Sequence, residues 1–224
     1  MVKRFVLVIA ETSLELVPPS MFQHPTVIHD ARRRGLDVSE LLLDRSYHYM
    51  AMKGLQQEYK RGRPDIAYHI LLDVTASPIY KKGLLKLYMH TIDNHVIDVS
   101  YGLRPPRTYV RYEGLIRELF KKKSLANGLL KLFDADFSKM LELFQHDIVV
   151  GFSRMGNHTS MGCVIKQYSV YNVPVFVVGG FPRGHFSDEI KKEISTLYCI
   201  SDYALDASTV VNRFLCEAEH SINI

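Results

Sequence analysis

The sequence has no tryptophan, only three cysteines among 224 residues, and no apolar run long enough to cross a bilayer. The apolar runs at 5–10 and 173–181 fall far short of the roughly 20 residues that a membrane helix needs, so no membrane partner is expected. The cysteines, Cys163, Cys199 and Cys216, form no CxxC pair. Their odd number and wide spacing predict a reducing, cytoplasmic setting and a packing role in the core, with neither a disulfide nor a zinc site.

The sequence also lacks the short motifs of several enzyme classes. None of its ten histidines forms an HxxxH or HExxH pair, and it has neither a GxGxxG nor a GK[ST] phosphate-binding pattern. These absences argue against a metal enzyme and against a dinucleotide or nucleoside triphosphate site. Residues 151–156 (GFSRMG) place the second glycine one position too late for a GxSxG nucleophile elbow, so a serine hydrolase is not expected.

Apolar strand-like runs alternate with helical patterns along most of the chain. This alternation predicts an α/β fold with a mostly parallel sheet. Because no linker is long enough to separate two domains, we predict one domain over residues 1–224, with an inserted hairpin and basic helix region at about 80–145. Strands are expected at 5–10, 84–91, 95–100, 147–153, 173–180 and 196–201, the second and third of them as a hairpin.

Helices are expected where apolar residues recur every three to four positions or where proline sets a first turn. One begins at Pro64 and ends near Ser77, and another begins at Pro105 or Pro106. The closing helix follows Asp206, a residue type suited to the N-cap. Further short helices are expected at 12–16, 46–59 and 161–168, and a turn is expected at 154–160.

The positive charge is concentrated in one segment. The chain has 28 Lys and Arg against 24 Asp and Glu, a net charge of +4. Residues 104–123 hold seven basic and two acidic residues, so this segment alone is +5 and the remainder is −1. In a helix that starts at Pro106, Arg107 and Arg111 share one face, and Arg104 lies in the preceding loop. The pattern fits either an RNA-binding surface, on which nearby tyrosines stack on bases, or a solvated helix face.

Two further motifs each have a structural and a functional interpretation. The Asp65 carboxylate can hold the Arg63 guanidinium and aim it at an anion, or it can form a local ion pair and stabilise the helix N-terminus. Gly179, Gly180 and Gly184 follow an apolar strand. Glycines at the carboxyl end of a strand permit the close approach of a ligand, and a tight turn explains them equally well.

Five sequence blocks together resemble one family. They look like the pseudouridine N1-specific methyltransferases of small-subunit ribosome biogenesis, which belong to the SPOUT or α/β-knot class. The blocks occur in the family's order, the resemblance covers most of the chain, and a chain of this size resembles an archaeal-type member. The blocks are GRPDIAYHILLDVTASP from Gly62, LYMHT from Leu87, RPPRTYVRY from Arg104, VVGGFPRG from Val177 and ISDYALDAS from Ile200.

The resemblance implies a homodimer of α/β subunits, whose C-terminal part forms a trefoil knot that holds S-adenosyl-L-methionine. Its implied rRNA contacts are Arg63, Arg104, Arg107 and Arg111, with Asp65 steadying Arg63. Other ribosome assembly proteins are further candidate partners. The implied cofactor-binding residues are Gly179, Gly180, Gly184, Ile200, Ser201, Asp202, Tyr203, Ala204 and Leu205.

The implied activity is methyl transfer from S-adenosyl-L-methionine to N1 of a pseudouridine in 16S-type rRNA. The reaction needs N1 placed in line with the methyl group, and cations that stabilise the anion formed as N1 loses its proton. Asp65 is a candidate general base, although pairing with Arg63 would lower its pKa and make it a weak one. The alternative is a non-catalytic, RNA-binding assembly factor that retains a vestigial cofactor pocket.

Overall fold

Eight strands form one continuous sheet in the computed structural model, which describes residues 4–224. The order across the sheet is β4-β5-β3-β2-β1-β7-β6-β8. Strands β2, β1, β7, β6 and β8 are parallel, which confirms the predicted fold class. The trefoil knot stays a prediction. The strands are β1 (Phe5–Thr12), β2 (Leu85–Thr91), β3 (His95–Val99), β4 (Ser124–Leu125), β5 (Leu130–Asp134), β6 (Ile148–His158), β7 (Pro174–Gly179) and β8 (Thr196–Cys199).

Helices cover both faces of the sheet. On one face α3 and α7 both pack against α9, and on the other face α6 packs against α8. None of the helices in residues 4–224 is both long and apolar enough to span a membrane. The helices are α1 (Pro25–Arg34), α2 (Arg45–His48), α3 (Pro64–Ala76), α4 (Pro78–Lys81), α5 (Tyr109–Lys122), α6 (Phe137–Glu142), α7 (Met161–Tyr168), α8 (Asp188–Glu193) and α9 (Ala207–Ser221).

Strand β1 is buried along its whole length because helices lie over both of its faces. Leu7 and Ile9 pack in the larger apolar cluster with residues of α3 and α9, such as Phe214. Val6 and Val8 pack in a second cluster with residues of α6 and α8. A strand that is covered on both sides has no polar face, which accounts for the unbroken apolar run at 5–10.

The region at 80–145 continues the same sheet. Strand β2 pairs in parallel with β1, and β3, β5 and β4 then extend the sheet in antiparallel pairing, so the predicted hairpin at 84–100 is confirmed. Helix α5 buries Tyr112, Ile116, Leu119 and Phe120, as its apolar stripe predicts. The assignment of residues 1–224 to one domain stays a prediction, and the sheet shared by both regions supports it.

Two predicted helices are wrong. Residues 12–16 contain no helix: Thr12 ends β1, and Leu16 forms a β-bridge with Leu42. Between them the Leu14 N–H donates to the Thr12 carbonyl at 2.7 Å, a contact of a tight turn. The stretch 46–59 contains only the end of α2 followed by turns. Gly54 and Gln57 there have φ values of 85° and 53°, which no continuous right-handed helix allows.

The structure also contains helices that the sequence interpretation missed. Helix α1 has Pro25 in its first turn and ends at Gly35 with φ 66°, a start and a stop signal that were both readable in the sequence. Helix α8 has Ser187 at its N-cap. Of the three cysteines only Cys199 is buried, so the predicted core role is wrong for Cys163 and Cys216, which are exposed.

Strand β6 extends to His158 through most of the stretch 154–160, where a turn was predicted, and it contacts its parallel neighbour β8 at a tight backbone approach. Phe152 and Asn157 both pair with Tyr198, so residues 153–156 loop out between the two pairings. A Cβ atom at Gly156 would lie 2.4 Å from the carbonyl carbon of Leu197 and 2.4 Å from the backbone nitrogen of Tyr198. Only glycine fits at this close contact, because the obstructing atoms belong to the backbone of another strand.

Gly156→Ala is therefore expected to destabilise the protein by about 3 kcal/mol, at the upper end of overpacking effects. Gly114→Ala is the matched control, because a Cβ there approaches nothing closer than 3.9 Å, the distance to Arg117 Nη2. The control lies within α5, and its free energy of unfolding should rise by about 1 kcal/mol because alanine has a higher helix propensity than glycine. Urea unfolding of the two variants measures both free energies of unfolding. Equal values would contradict the close backbone contact at Gly156.

Candidate functional site

A cavity of about 520 Å³ opens at the carboxyl ends of β6, β7 and β8. Its size lies within the range of small-molecule sites, and its position is the one at which parallel α/β sheets bind ligands. The walls come from three segments that are remote in sequence, together with two residues of α9. The lining residues lie at 152–154, at 178–186 except Gly180, at 198–205 except Asp202, and at Ala207 and Val210.

Two loops of this cavity have backbone N–H groups that bond to no other backbone group. Within the described part of the chain, the backbone N–H groups at 181–186 and 200–205 form no hydrogen bond to another backbone group. One of them, that of Tyr203, donates to Ser201 Oγ at 3.1 Å. Backbone N–H groups without partners need water or a ligand, so these loops offer donors to a polar molecule in the cavity.

Most of the predicted cofactor residues meet in this cavity. Gly179 and Gly184 line it, as do Ile200, Ser201, Tyr203, Ala204 and Leu205. Gly184 has a φ of 103°, a conformation that disfavours other residues. The cofactor assignment of all these residues stays a prediction, and their convergence supports it.

Gly180 and Asp202 are placed differently. The N–H of Gly180 donates to the Ala10 carbonyl at 2.8 Å, and its carbonyl accepts from the Ser13 N–H at 2.9 Å. A Cβ atom at Gly180 would lie 2.6 Å from Ile9 Cγ2, so this glycine allows the loop to pack on β1. Asp202 is exposed outside the lining, and its carboxylate lies 3.4 Å from His158 Nδ1.

The sequence interpretation missed the arginine and histidine side chains of the cavity. Arg154, Arg183 and His185 line it together with apolar residues such as Phe152 and Val210. Arg154 lies in the stretch 154–160 that was interpreted as a turn, and nothing in its local pattern distinguishes it from a loop arginine. Apolar walls, free backbone groups and arginines suit a ligand with a flat ring system and a carboxylate, which fits S-adenosyl-L-methionine.

A second concave surface, here called the arginine groove, lies beside Arg63. It has a volume of about 670 Å³ and is lined by residues from 44–47, from the start of α3 and by Tyr109. The aromatic rings are packed together, since the ring centroids of Tyr68 and Tyr109 are 5.5 Å apart at 75°. Burial raises the pKa of Tyr109 and Asp44 raises it further, so its hydroxyl stays protonated and donates to Asp44 Oδ2 at 3.4 Å.

Arg63 and Asp65 form a bidentate pair at the start of α3. Arg63 Nε donates to Asp65 Oδ1 at 2.8 Å, and Nη2 donates to Oδ2 at 2.7 Å. Burial would raise the pKa of Asp65, but the hydrogen bonds from Arg63 and its charge outweigh this and lower the pKa. Both carboxylate oxygens are therefore engaged and weakly basic, which suits a residue that steadies Arg63 better than a general base.

Arg107 lies beside the groove but outside a helix. Tyr68, on α3, donates a hydrogen bond from its hydroxyl to the Arg107 carbonyl. Helix α5 begins at Tyr109, with Thr108 as its N-cap, so the predicted start at Pro106 and the shared helix face of Arg107 and Arg111 are wrong. Each residue before a proline is disfavoured in the helical region, which keeps the RPPR segment extended.

The remaining predicted arginines are Arg104, at the start of this segment, and Arg111, in α5. Both are exposed, and neither lines the groove. Residues that the sequence interpretation missed here are Asp44, Arg45, Tyr68 and His69, all of which line the groove. Only proximity in the fold brings residues from 44–47 to α3, so no local pattern marks them. Their assignment and that of the four predicted arginines to RNA binding stay predictions.

The arginine groove and the cavity are neighbours. The hydrogen bonds to Asp65 raise the pKa of Arg63, and the negative charges of Asp206 and Asp44 raise it further. Asp206 directly follows Leu205 of the cavity wall and occupies the N-cap position of α9, although its side chain makes no capping hydrogen bond. Arg63 therefore lies within electrostatic reach of the cavity rim. Residues 4–224 contain no cluster of three or more potential metal ligands.

Known proteins are similar to this chain over nearly its whole length. The chain is 36% identical over 222 residues to the ribosomal RNA small subunit methyltransferase Nep1 of Staphylothermus marinus, covering 97% of this chain and 96% of the relative. It is 37% identical over 218 residues to the protein of the same name from Pyrobaculum aerophilum, covering 96% and 97% of the two chains.

A solved structure agrees with the sequence relatives. The crystal structure of Archaeoglobus fulgidus Nep1 bound to S-adenosylhomocysteine matches with a TM-score of 0.87 and 30% identity, over 100% of both chains. The model of the EMG1/NEP1 methyltransferase family matches residues 7–219. Because the match extends over nearly the whole chain, this protein belongs to the EMG1/NEP1 methyltransferase family.

Proposed function

We propose that this protein transfers a methyl group from S-adenosyl-L-methionine to N1 of a pseudouridine in small-subunit rRNA during ribosome biogenesis. The observation that carries the proposal is the adjacency of two sites, a cavity suited to the cofactor and an arginine groove suited to RNA. Ser13 links them, because its N–H donates to the Gly180 carbonyl at 2.9 Å and its Oγ accepts the Arg63 N–H at 2.8 Å. The relatives' names state the substrate, and the Archaeoglobus fulgidus structure holds the demethylated form of the cofactor. A binding protein without catalysis would not require this adjacency.

The cavity residues perform the cofactor part of the reaction. The free backbone groups at 200–205 and the apolar side chains around them would hold the adenosine, and Arg154 or Arg183 would pair with the carboxylate. When bound, S-adenosyl-L-methionine supplies a methyl group that is already electrophilic. The protein therefore needs to orient the donor and exclude water, which a cavity with walls from three segments does.

The groove residues perform the RNA part. Arg63 is held in one orientation by Asp65, while Arg104, Arg107 and Arg111 are exposed along the next segment. Exposed guanidinium groups contact successive phosphates, and rings such as Tyr68 and Tyr109 form a wall for an unstacked base. As N1 gives up its proton to solvent water, negative charge spreads to the ring carbonyl groups, where Arg63 stabilises it.

A methyl-transfer assay tests the activity. Purified protein, S-adenosyl-L-methionine with a labelled methyl group and a short RNA hairpin should yield labelled RNA when the target position is pseudouridine. The matched hairpin with uridine should stay unlabelled, because N1 of uridine carries the ribose. Binding of both cofactor and pseudouridine RNA without transfer would instead support the alternative, a non-catalytic assembly factor with a vestigial cofactor pocket.

Arg107→Ala tests the division of labour between the two sites. We expect RNA binding to weaken by about tenfold and the slope of log K against log salt to fall by about 1, because one phosphate contact is lost. The affinity for S-adenosylhomocysteine should stay unchanged. Lys131→Ala is the charge-matched control, since Lys131 is exposed on β5 and outside both sites. Loss of cofactor affinity in Arg107→Ala would contradict the proposal.

The proposal includes a homodimer in the cytoplasm, where other ribosome assembly proteins are candidate partners. Large apolar side chains of the C-terminal half support the dimer, since Met155 is 71% exposed, Val170 77% and Tyr203 79%. Exposed apolar side chains mark an interface where they form one patch. Light scattering should give a mass of twice 25.7 kDa. Elution as a monomer at micromolar concentration would contradict the dimer.

A further inference from the structure

The wall of the cavity at 181–187 is tied to the rest of the protein by a buried charge that the proposed reaction does not use. Lys60 is 2% exposed, and its ammonium group lies 2.8 Å from Oε1 of Glu11, whose side chain is 6% exposed. The other carboxylate oxygen of Glu11 accepts the N–H of Ser187 at 3.2 Å. A single carboxylate therefore joins Lys60 to the end of the cavity loop.

Lys60 also contacts the loop directly. Its ammonium group lies 4.6 Å from the ring centroid of Phe181, a cation–π distance, and Phe181 lines the cavity. A Cβ atom at Gly184 would lie 2.8 Å from the Tyr59 ring and 3.5 Å from Lys60 Cε. The short turn at 58–60 thus packs against the start, the middle and the end of this loop.

The backbone of the loop has few other constraints, although the Phe186 side chain is buried in the second apolar cluster. Its backbone N–H groups form no hydrogen bonds to backbone within the described residues, and β7 has already ended at Gly179. Glu11 is itself held in a left-handed conformation, with φ 50°, at the point where β1 bends. Such conformations persist where the surrounding structure fixes them, and they cluster at functional sites.

We infer that Lys60 and Glu11 are positioning residues for the cofactor: their buried ion pair holds the 181–187 loop in the shape that binds S-adenosyl-L-methionine. The inference rests on the proposed function, because it assigns the loop to that cofactor. Neither residue lines the cavity, so both act through the loop. The pair sets cofactor affinity and leaves RNA binding to the arginine groove.

Calorimetric titration with S-adenosylhomocysteine tests the inference. Lys60→Met keeps the length of the side chain and removes its charge, and it should weaken binding by about tenfold or more because the loop loses its preferred position. Glu11→Gln is a milder second variant in case the first fails to fold. Its carboxamide has one acceptor oxygen for two donors, Lys60 and the Ser187 N–H, and it should weaken binding by a smaller factor.

The control variant is Arg34→Met. Arg34 donates to Asp30 and, at 3.0 Å, to Glu113, so this change also breaks a largely buried ion pair but touches neither the loop nor its contacts. It should lower the melting temperature without changing the affinity for S-adenosylhomocysteine. Amide hydrogen exchange should accelerate at 181–187 in Lys60→Met and not in Arg34→Met, a difference that a general loss of stability would not produce.

The outcomes are distinct. Failure of the wild-type protein to bind S-adenosylhomocysteine would overturn the proposed function together with the inference. Binding by the wild type, with an affinity within twofold in folded Lys60→Met and in Glu11→Gln, would overturn only the inference. A proportional loss in Arg34→Met would also overturn it, because affinity would then follow global stability.

Discussion

The contact between the end of β1 and Gly180 is the constraint on which both sites depend. Gly180 exchanges hydrogen bonds with Ala10 and Ser13, and no side chain fits at its position. Through this contact the segment at 11–15 lies directly against the start of the cavity loop. The same segment bonds to the chain before α3, since Ser13 Oγ accepts the Arg63 N–H at 2.8 Å. The segment at 11–15 therefore contacts both the cavity loop and the arginine groove.

Buried charges fix the path of the chain through the segment at 11–15. Besides the pair of Glu11 and Lys60, Glu15 accepts from Arg61 Nε at 2.8 Å. Burial raises the pKa of Glu15, and the hydrogen bonds and charge of Arg61 oppose that rise only in part. Buried ion pairs add little net stability, because the cost of desolvation offsets the attraction between the charges. Their contribution here is geometric, since each pair joins the segment at 11–15 to the segment at 60–63.

Sequence patterns predicted the helices and strands that depend on local or repeated signals. The apolar run of β1, the stripe of α3, the helix at 161–168 and the parallel sheet were all confirmed, because burial on one or both faces leaves a regular trace in sequence. The patterns failed at 12–16, where Ser13 and Glu15 bond to Arg63 and Arg61 far along the chain. They also failed at 46–59, where Gly54 and Gln57 take left-handed φ values. Lys60 illustrates the limit: its sequence neighbours are polar, and only the fold shows that it is buried.

The walls of the cavity come late in the chain. They begin at Phe152 and are complete only with Val210, in a helix that packs against α3 and α7. The arginine groove, in contrast, is assembled from residues before Tyr112. A chain emerging from the ribosome therefore carries its groove residues before any cofactor cavity exists. Under the proposed assignment of the two sites, cofactor binding requires that α9 has been synthesised and that the C-terminal strands have joined the sheet. The order of translation would then separate RNA contact from methylation.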